Sequence, residues 1–146
     1  MGIINIVENI KKIHEDYIVF IHVGNFYYCY GRDSYILSYL FNYKINILKN
    51  EIYSCSFPSS VLARILNQLE NKKISYIILD KRHNYEVDDK QNFKNLNTYQ
   101  KYYEKGKEKF STKMRIEKIY QYLLENMDDK TFITEVEEKI HERRKI

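Results

Sequence analysis

The sequence predicts an α/β fold, a mixed β-sheet with flanking helices, continued by a C-terminal α-helical extension. Three observations carry this. Short apolar runs alternate with helical patterns over the first 81 residues in the order αββαββαβ. A Gly24-Asn25 pair separates two strand-like runs, which is a two-residue hairpin signal. Charge density also changes near Lys81: 16 of the first 81 residues are Lys, Arg, Asp or Glu, against 28 of the last 65, although each part nets +2. A packed core followed by solvated helices has that profile. The expected organisation is an α/β domain over 1–81, a linker over 82–98 and a helical tail over 99–146.

Each element has a local reason. Ile3, Val7, Ile10, Ile13 and Tyr17 recur at helical spacing and predict an opening amphipathic helix. Strands follow over 18–23 and 26–30. Arg32-Asp33-Ser34 starts a helix reaching about residue 42, with Tyr35, Leu37, Tyr39, Leu40 and Phe41 available to pack. Two short strands are expected over 44–48 and 52–56, turning at Asn50-Glu51. Pro58 opens a helix over 59–71, because its missing N–H costs nothing at a helix start. The apolar run over 74–80 reads as a central strand covered on both sides.

Beyond residue 81, the polar, aperiodic 82–98 segment reads as linker or long loop. A helix begins at Tyr99, with Gly106 as its expected interruption. A second covers 111–126, its broad apolar stripe including Met114, Ile116, Ile119, Tyr120, Leu123 and Met127. Asp128-Asp129 stands at the entry of a last helix, where acidic groups suit the positive dipole end. A two-helix tail with such stripes is not stable alone in water. It docks on the core, on a second copy or on a partner.

Composition narrows the function classes. A net charge of +4 permits nucleic-acid binding without demanding it. No long apolar run and no signal-peptide pattern occur, so a cytoplasmic location and no membrane association are expected. Cys29 and Cys55 read as buried free thiols. Neither has a Cys or His at ligand spacing, so no metal and no cofactor are expected. His14, His22, His83 and His141 have no partner at metal or triad spacing. Neither a Gly-x-x-x-x-Gly-Lys-Ser/Thr loop nor a Gly-x-Ser-x-Gly elbow is present.

The Gly24-Asn25-Phe26-Tyr27 hairpin carries the chemistry. With the opening helix, the Asp33 helix start, the Phe57-Pro58 helix entry and the closing strand, it resembles the first domain of the MutS mismatch-repair proteins over about residues 3–81. The family motif usually reads Gly-Asp-Phe-Tyr-Glu. The resemblance implies that Phe26 wedges into mispaired DNA from the minor groove, and that the residue two further on inspects the base. Residues i and i+2 of a strand project from one side, so ring and inspecting group enter together. A wedge unstacks base steps most easily where pairing is already defective. The sequence departs from the motif where Tyr28 replaces Glu and Asn25 replaces Asp. Tyr28 stacks and donates but offers no carboxylate, which suits general base stacking on single strands or RNA as well.

The expected nucleic-acid contacts are Phe26, Tyr28, Asn25, Gly24, Arg32, Ser59 and Ser60, with Arg64 a weaker candidate. Composition alone gives the opposite reading of the hairpin. Val23 would pair with Phe26 and Ile21 with Tyr28, on a face that is simply core. Ser59 and Ser60 would then cap a helix. The expected partner is mispaired or distorted DNA, or RNA, without ATPase or catalysis. The resemblance extends to small MutS-like accessory proteins found beside reverse transcriptases in diversity-generating retroelements. The rival readings are a protein-interaction or homodimerisation module acting through the tail, and a small nuclease using Asp33, Glu51 or Asp80.

Overall fold

A computed structural model describes residues 2–94 and 97–145. The elements are α1 (Ile3–Ile13), β1 (Ile18–Val23), β2 (Phe26–Tyr30), α2 (Arg32–Phe41), β3 (Asn46–Ile47), β4 (Tyr53–Pro58), α3 (Leu62–Asn71), β5 (Tyr76–Asp80), β6 (Glu86–Gln91), α4 (Thr98–Glu125) and α5 (Lys130–Arg144). The strands form one sheet in the order β3-β4-β2-β1-β5-β6. The β1–β5 pair is parallel and the rest are antiparallel.

Strand alternation sorts the core onto the two faces of the sheet. One face holds Ile18, Phe20, Tyr27, Cys29, Phe57, Tyr76 and Ile78 under α2, α3 and the start of α4. The other holds Val19, Ile21, Ile77 and Leu79 under Val7 and its helical neighbours on α1. β5 is buried at every position, as its apolar run predicts. Both cysteines are buried free thiols. Burial pushes the Cys55 thiol up to about 12 and that of Cys29 well above its usual value.

The polar segment expected as a linker contains a sixth strand instead. β6 pairs antiparallel with β5 along the sheet edge, with all of its residues exposed. Its charged sequence lacks alternation because neither side chain face is covered; only the backbone ladder recruits it. The expected interruption at Gly106 is also corrected, since α4 runs unbroken through it. A Cβ there would meet the Tyr35 carbonyl oxygen at 2.3 Å. Glycine at this position lets α4 approach α2.

The chain divides into two compact units, 1–109 and 110–146. The first twelve residues of α4 therefore belong with the sheet, and Tyr99 is among its buried side chains. In the second unit Tyr122 meets Phe132 edge-on at 5.8 Å, and the Asp129 carboxylate caps α5 by accepting from the Phe132 amide at 3.1 Å. Pro58 ends β4 and leads into a short 3-10 turn, Ser59–Val61, before α3 begins. Neither serine makes the expected side-chain cap.

Candidate nucleic-acid interface

The hairpin adopts the register its turn length dictates, Val23 opposite Phe26 and Ile21 opposite Tyr28. Gly24 sits at φ 61, as the first central residue of a two-residue type II′ loop requires. Alternation then turns Tyr27 into the core and Phe26 out of it. Tyr27 stacks on His22 at 4.3 Å and on Phe57 at 5.5 Å. Phe26 is 42% exposed. Ile21 is sealed on the α1 face, while Val23, nearer the turn, and Tyr28, opposite Ile21, are only half covered. The Phe26 and Tyr28 rings lie 6.3 Å apart on the same side, tilted by 47°.

β4 flanks this tip. Pro58 pairs with Phe26, and the Ser59 amide donates to the Asn25 carbonyl at 2.8 Å. Gly24, Asn25, Phe26, Tyr28, Ser59 and Ser60 thus gather at one end of the sheet. Arg32 does not join them. It lies past the far end of β2, about 14 Å of strand from Phe26. Its guanidinium donates to the Glu15 carbonyl at 3.2 Å and stands over the Tyr99 and Tyr103 rings at 5.4 Å each. The cleft of about 510 Å³ beside it sets Glu8, Glu15 and Glu51 against Lys11, Lys12 and Arg32, so it carries no net positive charge. Arg64 donates to the Tyr43 hydroxyl at 3.4 Å.

Two carboxylates of the nuclease reading, Asp33 and Asp80, are held apart. Asp33 is fully buried and accepts from the Val19 amide at 3.0 Å, from Lys11 at 2.7 Å and from the Tyr99 hydroxyl. Asp80 stands level with His22, about 10 Å further along β1. Among the described residues no group of three His, Cys, Asp or Glu side chains could hold a metal ion. No helix among them is long and apolar enough to cross a membrane.

Sequence reasoning missed the neighbourhood of Asp80. Its carboxylate accepts from the Arg82 amide at 2.8 Å and the Arg82 guanidinium at 3.5 Å. His22 Nδ1 and His83 Nε2 approach it at 3.7 and 3.9 Å. Burial alone would raise this carboxyl; the two Arg82 hydrogen bonds, with the charges of Arg82 and His83, outweigh it and hold it below 3.8. The available signal was topological: parallel β1 and β5 end together, so the turn after β5 lands beside the hairpin.

The model of one protein family, MutS domain I, matches residues 1–143, well beyond the 3–81 stretch that the motifs suggested. No curated protein matches the chain. The hairpin, the mixed sheet and the extent of that match give one conclusion: the chain belongs to the MutS domain I family.

Proposed function

We propose that this domain binds mispaired or distorted duplex DNA by inserting Phe26 between base steps, without catalysing a reaction. One observation carries the reading. Phe26 is a large apolar side chain left 42% exposed at a hairpin tip, while the next residue, Tyr27, is locked between His22 and Phe57. A wedge needs that combination of a free ring and a stiff base, because ordering the ring on binding would cost affinity. Tyr28 stands where the family has Glu. It offers a ring and a hydroxyl to the base, so recognition rests more on how easily the step unstacks than on base identity. The setting in this reading is cytoplasmic. The likeness to retroelement accessory proteins points to error-prone reverse transcription as a source of mispaired duplex.

Fluorescence anisotropy with matched, singly mismatched and single-stranded DNA tests this, with an RNA–DNA heteroduplex as a further arm. One small module gives weak, micromolar-range binding. Phe26→Ala removes a stack worth about 1–3 kcal/mol, a loss of roughly 5- to 150-fold on mismatched duplex, with circular dichroism unchanged. Equal affinity of wild type and variant rejects the wedge.

A second reading, homodimerisation through the tail, rests on its own observation. No described residue from 110 to 145 is buried, and Ile116, Ile119 and Tyr120 share one stripe of α4 at 59–61% exposure. Two such hairpins complete a four-helix bundle. A monomer by light scattering would reject it.

A further inference from the structure

We propose that the turn Lys81–His83 grips the phosphodiester backbone of the duplex that Phe26 enters, and so supplies the phosphate contact that Arg32 is too distant to make. The inference deepens the wedge reading and rests on it.

The sheet sets the placement. Phe26 pairs with Val23 across β2–β1, and His22 pairs with Asp80 across β1–β5. Continuing that register by one residue brings Lys81 level with Val23. Lys81 therefore lies two strands from Phe26, about 10 Å between backbones at the usual strand spacing. Ser59 and Ser60 lie one strand away on the opposite side. A ring entering a minor groove about 6 Å wide has a phosphate row on either side at this range. The hairpin thus has a hydroxyl-bearing flank after β4 and a basic flank after β5.

The basic flank is built to hold its shape. Asp80 fixes Arg82 through both its amide and its guanidinium, and His22 and His83 close around the same carboxylate. Asn84 and Tyr85 turn the chain back at φ 56 and 60, with the Tyr85 amide donating to the Asp80 carbonyl at 2.8 Å. Yet the Arg82 and His83 side chains stay 72% and 66% exposed. Asp80 is a positioning residue here. It restrains the turn and leaves Lys81 and the outer donors of Arg82 for phosphate. Glu86, Asp88 and Asp89 follow on β6. They repel a phosphate row and confine the contact to the hairpin side of the turn.

The test is the salt dependence of binding by the full chain to a defined duplex carrying one mismatch, between 50 and 200 mM salt. Each lost phosphate contact lowers the slope of log K against log salt by about 1. Lys81→Gln and Arg82→Gln are each expected to do so, and to weaken matched and mismatched duplex by the same factor. Lys139→Gln, an exposed lysine of the second unit, is the control for net charge and leaves the slope unchanged. Phe26→Ala lowers mismatch affinity at unchanged slope. If both turn variants keep the wild-type slope while Phe26→Ala still weakens binding, the turn inference falls and the wedge stands. Equal slope changes in Lys139→Gln and the turn variants also overturn it. If the wild type binds no duplex, both fall.

Discussion

Replacing Asp33 by Asn should destabilise the first unit by about 3 kcal/mol, at the lower end of the range for breaking a buried ion pair. The carboxylate is fully buried and accepts three donors: the Val19 amide, the Lys11 ammonium and the Tyr99 hydroxyl. An Asn amide has one oxygen to share among them. Turned toward Lys11 and Tyr99, it sets its own NH2 against the Val19 N–H and orphans a buried donor, a defect of about 1–3 kcal/mol. Turned the other way, it faces the ammonium with another donor. Lys11 keeps some compensation, because it is 18% exposed and donates to the Tyr17 carbonyl at 2.5 Å; that places the loss low in the range. In a unit of this size the loss corresponds to about 13 °C in Tm. Urea unfolding followed by far-UV circular dichroism measures it as a lower midpoint at unchanged slope. Tyr99→Phe, which leaves the Lys11 and Val19 bonds in place, should cost about 1–2 kcal/mol. An Asp33→Asn protein within about 1 kcal/mol of wild type would refute the account of Asp33 as the latch tying α1, β1, α2 and α4 together.

Two further outcomes are expected of the fold. Gly106→Ala gains about 1 kcal/mol of helix propensity, but its methyl would stand 2.3 Å from the Tyr35 carbonyl oxygen. Because the obstacle is backbone, the net change should be a loss of about 1–3 kcal/mol, and a Tm equal to or above wild type would disprove the close approach. Asp80 has its carboxyl lowered in the folded state, so its stabilisation is present above 3.8 and is lost as pH falls through the lower folded value. The Tm gap between wild type and Asp80→Asn should be widest near neutrality and close in acid; a gap that widens on acidification contradicts the Arg82 and His83 contacts.

Local chemistry was legible in the sequence and convergence was not. Gly24 before Asn25 sets a two-residue loop, and loop length sets register, so the Val23–Phe26 and Ile21–Tyr28 pairs could be written down in advance. The run ending at Asp80 announces a two-sided strand because its sequence lacks alternation. β6 was hidden because an exposed edge strand is recruited by backbone groups, which leave no side-chain pattern. Gly106 looked like a breaker because the Tyr35 backbone that needs it is 71 residues away in the chain. Arg32 was misplaced for a similar reason: nearness in sequence to the hairpin became distance along a strand. The same gap hid His22 and Asp80, adjacent only once β1 and β5 run parallel.

The two ends of the sheet are built to opposite rules, and that contrast argues for function better than any one residue does. At the start of β1, Lys11, Asp33 and Tyr99 satisfy one another inside the protein, and an aromatic cluster covers Arg32. Charge there is spent on holding helices. Where β1, β4 and β5 end, the chain does the reverse. It buries Tyr27 and leaves Phe26 out, closes β4 without a serine side-chain cap, and continues past β5 with Lys81, Arg82 and His83, the last two drawn to one carboxylate. An apolar ring left in water beside polar and cationic groups forgoes the stability that its burial would bring. A partner that is flat and stackable in the middle and anionic at its margins recovers that cost, and a duplex with a weak base step has this form.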